Sequence, residues 1–306
     1  MDIILSIITI NYNGLKDTCE LIDSLPLEDR SIEVIVVDNA SKNNEASIIE
    51  ERYPAIKVIK SKENLGFAGG NNLGIKAAHG KYLFFINNDT ILQPQASYIS
   101  HLILRLESDE SIGIVCPKIR FAWDDNPIQF AGYTPLSRYT MRNRSIGFGE
   151  EDHGQYNTAH PTPYAHGAAM LVKRSAIEKV GLMPECYFLY YEELDWSMMF
   201  TRAGYCIWYE PACTIYHKES QSTGQQSPLK AYYLTRNRLL FVKRNIQGLR
   251  RYITYTYLLF LVAPRDICKY LLHRQLNLAF ATIKGIFSAR ACSLATSGTQ
   301  ELSKPK

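Results

Sequence analysis

The sequence predicts an α/β fold, a single Rossmann-like mixed sheet covered by helices, followed by a helical C-terminal extension. Three features carry this. Short β-branched runs alternate with helical stretches through the first part of the chain. Several of those runs end in Asp or Asn, as strands do at the rim of an open sheet. From Leu229 onward the chain turns helical, basic and aromatic.

Strands are expected at Leu5–Ile10, Glu33–Val37, Ile56–Ile59 and Tyr82–Ile86. Helices are expected at Leu15–Ser24, Asn44–Arg52 and Ala68–Ala78, the last closed by His79-Gly80 as a C-terminal cap. Together they make a nucleotide-binding α/β half. Beyond Asp89 a helix is expected from Gln95 to Glu107 and a strand at Ile112–Phe121. The polar stretch from Ala122 to Thr162 has no clear period, and such stretches often hold specificity loops. A strand follows at Ala168–Val172, then a helix opened by Glu192-Glu193-Leu194-Asp195 and stopped by Gly204. Cys206–Tyr209 forms the next strand, and another leads into His217.

The chain has 306 residues, 46% of them hydrophobic and 21% charged, enough to bury a full core and too apolar for a disordered or fibrous protein. A net charge of +4 does not argue for nucleic acid, and the basic residues crowd into the C-terminal third. Seven cysteines, Cys19, Cys116, Cys186, Cys206, Cys213, Cys268 and Cys292, include no C-x-x-C pair and read as reduced thiols. The apolar start Ile3 to Ile10 lacks a basic flank and cleavage site and runs into Asn11-Tyr12-Asn13-Gly14, so it reads as a strand of a cytoplasmic protein.

The apolar run Tyr252 to Ala263, closed by Pro264-Arg265, is shorter than the roughly 20 residues a membrane-spanning helix needs. It is expected to lie on the inner face of the cell membrane, by peripheral contact with anionic lipid. A packed helical subdomain or a dimer interface is an equal alternative, and the oligomeric state stays open. The expected divisions are a catalytic domain over 1–228, a helical region over 229–292 and a flexible tail over 293–306.

Four segments form a candidate site. Asp38, in Val36-Val37-Asp38-Asn39-Ala40-Ser41, can accept hydrogen bonds from a ribose or base, although the same residues also form ordinary turns. Glu63 to Asn72 is glycine-rich, which lets a backbone approach a phosphate at a helix start, or else simply marks a helix entry. It matches neither G-x-G-x-x-G nor a Walker loop. Asp89, closing Phe84 to Thr90, is a candidate ligand for magnesium or manganese, with a turn cap as the alternative. Glu192, Glu193 and Asp195 supply three carboxylates at a helix start, one of them a candidate general base, although acids also suit the helix dipole there. His217 could complete the metal site or be a structural histidine.

Taken together, the chain resembles the family 2 inverting glycosyltransferases of the GT-A fold, and among them bacterial rhamnosyltransferase-like enzymes. The likeness rests on Ser6 to Asn13, Val37 to Ser41, Asn64 to Asn72, Asn87-Asn88-Asp89, Tyr191 to Asp195, and Tyr233 to Leu240. The resemblance implies a nucleotide-sugar donor, dTDP-rhamnose or a UDP-sugar, and a glycan or lipid-linked saccharide acceptor in polysaccharide assembly. It places Thr9, Asn11, Tyr12, Asp38, Asn64, Gly66, Gly69, Asn72 and Asn88 on the donor, with Gly167, Ala168 and Ala169 on the acceptor side. It puts Asp89 and His217 on a divalent metal and makes Glu193 the base, with Glu192 or Asp195 able to share the role. The D-x-D motif here reads Asn87-Asn88-Asp89, so one carboxylate is an amide and metal affinity is expected to depend on bound donor.

A nucleotidyltransferase would use the same sheet, but would normally carry a glycine-rich loop with Arg and Lys after the first strand, where this chain has Asn11 to Leu15. A membrane-attached sugar-nucleotide binder without turnover is the non-catalytic alternative.

Overall fold

A computed structural model describes residues 2–93, 98–123, 125–219 and 227–295, with side chains to residue 289. The chain divides into two compact units, Met1–Pro135 with Asn143–Ser220, and Leu136–Arg142 with Gln221–Lys306.

The first unit is built on one mixed sheet. Its strands are β1 (Leu5–Asn11), β2 (Ile32–Asp38), β3 (Lys57–Lys60), β4 (Tyr82–Ile86), β5 (Thr90–Ile91), β6 (Ile112–Phe121), β7 (Ile128–Phe130), β8 (His160–Pro161), β9 (Ala169–Lys173) and β10 (Cys206–His217). The spatial order is β3-β2-β1-β4-β9-β6-β10-β5, with β7 on β6 and β8 on β10. β1 to β4 are mutually parallel where they pair, and β9 runs antiparallel between β4 and β6. Both faces of the central strands are covered, which explains why β1 and β4 read as continuous apolar runs.

The covering helices are α1 (Leu15–Asp23), α2 (Glu45–Arg52), α3 (Gly66–Ala77), α4 (Ile99–Glu107), α5 (Arg174–Val180) and α6 (Glu192–Arg202). α3 approaches β1 closely because its contact face is glycine. A β-carbon on Gly74 would stand 2.4 Å from Ile8 Cγ2, and one on Gly70 would stand 2.9 Å from Ile10 Cδ1.

Several expectations change in detail. The expected start of α4 at Gln95 lies outside the described residues. Gly80 does not cap α3: the helix ends at Ala77, Ala78 is extended, and Gly80 lets the backbone pass Ser6, whose N would be 2.5 Å from an added β-carbon. The two strands expected between Cys206 and His217 are one, interrupted by a bulge between Glu210 and Thr214. The polar stretch from 122 to 162 contains β7 and β8, too short to show a period. α5 was not foreseen.

The second unit is helical: α7 (Pro228–Asn245), α8 (Gly248–Tyr257), a π-helical turn (Leu258–Val262), α9 (Ala263–Leu272) and α10 (Leu276–Ala295). Ser227 caps α7, accepting from Lys230 N at 3.1 Å. Pro264 does not close the apolar run as expected. It lies in the first turn of α9, where a missing N–H is tolerated, and the π turn leads into it from α8. No described helix is long and apolar enough to cross a membrane. Most of the expected tail over 293–306 lies outside the described residues.

Candidate active site

The parallel register of β1 and β2 sets Asn11 opposite Asp38. Asn11 Nδ2 donates to Asp38 Oδ2 at 2.8 Å, Glu45 Oε2 at 2.9 Å and Ser41 Oγ at 3.0 Å, while Asn11 Oδ1 accepts from Thr18 Oγ1 at 2.7 Å. Asp38 Oδ1 accepts from Ser41 N at 3.0 Å. The amide therefore fixes the carboxylate of Asp38 at the sheet rim. Thr9 and Asn11 are fully buried, and the Thr9 hydroxyl has no hydrogen-bond partner among the described residues; Tyr12 is the exposed member of the three. Asn88 Nδ2 donates to Thr18 Oγ1 at 3.0 Å, tying the end of β4 to α1. It lies over Gly14, where a β-carbon would come within 2.6 Å of that nitrogen.

The glycine-rich segment is closed by the protein itself. Phe67 N, at the start of α3, donates to Phe188 O at 2.8 Å. Gly66 has φ +71°, and a β-carbon there would stand 2.1 Å from the same oxygen. A β-carbon on Gly69 would stand 2.6 Å from Leu65 Cβ. Asn64 Oδ1 accepts from Gly66 N at 2.9 Å and Asn39 Nδ2 at 3.0 Å. Asn72 Nδ2 donates to Met183 O at 2.9 Å and Glu185 Oε1 at 2.7 Å, and its Oδ1 accepts from Met183 N at 3.0 Å. At Gly66 and Phe67 the close approach is made by a carbonyl of this chain. Asn72, and the close approach at Gly66, anchor the 183–188 segment, while Asn64 and Gly69 hold the loop that leads into α3.

That anchoring matters for the acids that follow. Phe188, Tyr190 and Tyr191 have φ of 69°, 67° and 79°, a left-handed conformation that disfavours residues with a β-carbon. Neighbouring contacts hold the strained turn: Phe188 O on Phe67 N, and Tyr187 Oη donating to Asp195 Oδ2 at 2.8 Å. The turn opens α6. Glu192 and Asp195 are buried, whereas Glu193 is half-buried.

Burial pushes the Glu192 carboxyl well above the usual carboxylate range, and the neighbouring Glu193 adds to it. Backbone N–H groups of Tyr190 and of Glu192 itself oppose that shift, but Glu192 Oε2 has no hydrogen-bond partner among the described residues. Burial also raises Glu193. Glu192 is the deeper of the two acids and the more strongly shifted, and the two titrate as a pair.

Gly167 lies against Glu193: a β-carbon there would stand 3.7 Å from Glu193 Cγ and 3.8 Å from Phe67 Cζ. Ala168 and Ala169 are buried and join this point to the end of β4, Ala168 O accepting from Asn87 N at 2.9 Å and Ala169 pairing with Ile86. On the other side of Asn87, β5 pairs with β10 so that Thr90 opposes His217, and Lys218 N donates to Asp89 O at 2.9 Å. His217 Nε2 then stands 3.1 Å from Asp89 Oδ1, both side chains buried.

Gln129 Oε1 accepts from His217 Nδ1 at 2.8 Å. In the neutral ring this leaves Nε2 as an acceptor facing a carboxylate, a pair that needs a proton or a metal cation between its members. Two neighbouring ligands about 2.1 Å from a divalent ion would be about 3.0 Å apart, so the spacing fits. Among the described residues no three His, Cys, Asp or Glu side chains form a complete cage. Further ligands would have to come from substrate oxygens and water.

Three contributors were not singled out from the sequence: Gln129, Tyr133 and His166. The Tyr133 and His166 rings stack, centroids 5.9 Å apart and planes at 11°. His166 Nδ1 accepts from Ala168 N at 3.1 Å, immediately beside Gly167. Burial, with His217 nearby, pushes the His166 imidazole down to about 3, so the ring is neutral. Burial and then the charge of Glu193 raise the Tyr133 phenol, keeping it protonated. The position of His166 directly before the Gly167-Ala168-Ala169 segment was the available signal; Gln129 and Tyr133 lay in the stretch without a period.

The model of the family described as glycosyl transferase family 2 matches residues 6–181, more than half of the chain. The chain belongs to glycosyl transferase family 2. This family-2 glycosyltransferase is an inverting enzyme that moves a sugar from a nucleotide-diphosphate sugar to a glycan or lipid-linked acceptor, a reaction of polysaccharide assembly. It is 26% identical over 290 residues to a low-salt glycan biosynthesis hexosyltransferase of Haloferax volcanii, covering 92% of this chain and 89% of the relative. It is 24% identical over 244 residues to an N-acetylglucosaminyl-diphospho-decaprenol L-rhamnosyltransferase of Mycobacterium tuberculosis, covering 72% of this chain and 78% of that one. Its fold is similar to that of a mannosyltransferase from Pyrobaculum calidifontis solved with GDP-Man and Mn2+, at TM-score 0.58 and 16% identity, covering 98% of this chain and 77% of that chain. The family match ends before Glu192, Asp195 and His217, so the geometry of those residues is independent of it.

Proposed function

We propose that Glu193 is the general base of an inverting sugar transfer and that Asp89 and His217 hold a divalent ion at the donor diphosphate. The observation that carries this is the placement of Glu193 against Gly167 at one end of a hydrogen-bonded path, through Ala168 and Asn87, whose other end is the Asp89–His217 pair. Asp38 is assigned to the ribose or base, and Tyr12 and Asn88 to the exposed rim of the donor pocket. Residues 1–228 are assigned catalysis.

An acceptor hydroxyl beside Gly167 gives its proton to Glu193 as its oxygen bonds to the anomeric carbon. The bond from that carbon to the diphosphate oxygen breaks on the opposite face, and configuration inverts. When bound, magnesium or manganese would neutralise charge on the departing diphosphate. Buried Glu192, remaining protonated, leaves Glu193 able to act as the base, and Asp195 positions α6 through Tyr187.

The rhamnosyltransferase relative's name supports a deoxysugar donor and a lipid-diphosphate acceptor. Such an acceptor would put the enzyme at the inner face of the cell membrane, the helical region over 229–292 making peripheral contact. Calorimetric titration with UDP, dTDP and GDP, with and without manganese and repeated on Asp89→Ala, tests the donor site. Metal-dependent binding of one nucleotide, lost in the variant, is expected; no binding by folded protein would sink the assignment. Binding without transfer across sugar donors and acceptors would favour a non-catalytic scaffold.

A further inference from the structure

We propose that the helical unit docks on an anionic bilayer, burying the outward apolar stripe of α8 and α9 in the lipid and receiving a lipid phosphate in a groove of Lys230, Lys269 and His273. This rests on the membrane reading above and names its surface and partner.

The stripe begins with the chain's path. α8, the π turn and α9 follow one another without a break, so residues 248–272 form one continuous helical rod. Thr254, Leu258, Val262 and Ala263 are buried on its inner side. On its outer side stand Leu249, Tyr252, Ile253, Phe260, Leu261 and Leu272, of which Leu249 is 75% exposed, Phe260 66% and Leu272 83%. These exposed apolar residues fall in three groups, Leu249 to Ile253, Phe260-Leu261 two turns further on, and Leu271-Leu272 at the end of α9, and large apolar side chains held exposed along a helix are the pattern of one lying in a membrane interface. The π turn inserts one extra residue per turn and so adjusts the facing of the two segments.

Charge identifies the occupant. From Pro228 to Ala295 there are twelve Lys or Arg and a single acid, Asp266, whereas the remainder of the chain has 22 Lys or Arg against 29 acids. A protein surface bearing both large exposed apolar side chains and this one-sided charge complements an anionic leaflet. A second copy of the same unit would bring like charge against like charge.

The groove is a separate observation. It encloses about 360 Å³, and Lys230, Lys269 and His273 line it with Ser227 and Tyr270 but no acid. Lys230 sits in the first turn of α7, where the helix dipole already disfavours a cation, so an anion would be stabilised there twice. His273 Nδ1 donates to Lys269 O at 2.7 Å, which leaves Nε2 as the remaining polar atom of the ring. Leu271 and Leu272 lie between Lys269 and His273 in the chain and are exposed, so phosphate-binding groups and apolar anchors share one helix end.

The test is flotation of the full chain with vesicles of phosphatidylcholine alone or mixed with phosphatidylglycerol, at low and high salt. Wild type is expected to float with the anionic vesicles at low salt, less at high salt, and little with phosphatidylcholine alone. Leu249→Ser/Phe260→Ser/Leu272→Ser should lose binding, and Lys230→Ala/Lys269→Ala should weaken it by about fivefold per lysine. Millimolar inorganic phosphate should leave the protein on the vesicles. Docking is overturned if folded wild type stays unbound at low salt, if the apolar variant binds as wild type does, or if free phosphate releases the protein. It is also overturned if the apolar variant instead splits a dimer that does not bind vesicles. Calorimetric nucleotide binding, measured on each variant, separates failure of docking from failure of the glycosyltransferase reading.

Discussion

His217 Nε2 stands 3.1 Å from Asp89 Oδ1, and Gln129 holds the other nitrogen of the same ring at 2.8 Å. The two contacts give the imidazole an inner and an outer duty. Removing the outer one in Gln129→Ala should weaken apparent manganese affinity by about 10–100-fold while leaving maximal turnover at saturating metal nearly intact. A manganese titration of donor binding checks this; unchanged affinity would show that Gln129 does not orient the ring.

Glu193→Gln keeps the shape of the side chain and removes its basicity. Turnover should fall by about 100- to 10,000-fold, with nucleotide binding by calorimetry unchanged. Burial raises the Glu193 carboxyl, so the acid limb of the wild-type rate profile should lie above the ordinary carboxylate value of 4.5. Loss of donor binding in the variant would instead assign Glu193 to the donor.

Glu192 gives a stability prediction with a definite sign. Its folded-state proton affinity is raised, so below its unfolded value of 4.5 both states are protonated and no destabilisation arises. As pH rises past 4.5 the unfolded chain ionises first and wild-type stability falls, until the folded carboxyl also ionises and the loss levels off. Glu192→Gln does not ionise. Denaturation midpoints should therefore show the variant gaining on wild type as pH rises above 4.5, and curves that stay parallel would contradict the shift.

Gly66→Ala places a β-carbon 2.1 Å from Phe188 O on a residue at φ +71°. A loss of about 1–3 kcal/mol or more is expected from the backbone strain alone, read as a lower denaturant midpoint. Turnover should fall further than stability accounts for, because Phe188 leads into the turn that aims Glu193.

Tyr133→Phe removes a phenol that feels the charge of Glu193 and leaves the ring stacked on His166. A higher acceptor KM with unchanged donor binding is expected if the phenol contacts the acceptor. Steady-state kinetics with each substrate varied separates this from a loss of fold.

Much of the sheet was legible because β1, β2 and β4 are buried on both faces and write themselves as apolar runs ending in Asn11, Asp38 and, past Ile86, Asp89. The sequence offered His217 as a partner of Asp89 only beside the alternative of a structural histidine, since the antiparallel pairing that joins them spans β5, a strand of two residues. The glycines of α3 pointed outward to a ligand in sequence and inward to Ile8, Ile10 and Phe188 in space, because a glycine records that something comes close without recording what. Tyr133 and Gln129 were hidden by irregular backbone: β7 has three residues and the rest of its surroundings is loop.

The turn formed by Phe188, Tyr190 and Tyr191 also sets a rule for redesign. Three left-handed residues with bulky side chains store backbone strain where the start of α3 meets the turn leading into Glu193. Substituting glycine there is expected to relax the turn, giving a hardier protein in which Glu193 is no longer held in place. Attempts to alter acceptor choice would do better to leave that turn untouched and recombine the segment around Tyr133, which stacks on His166 beside Gly167.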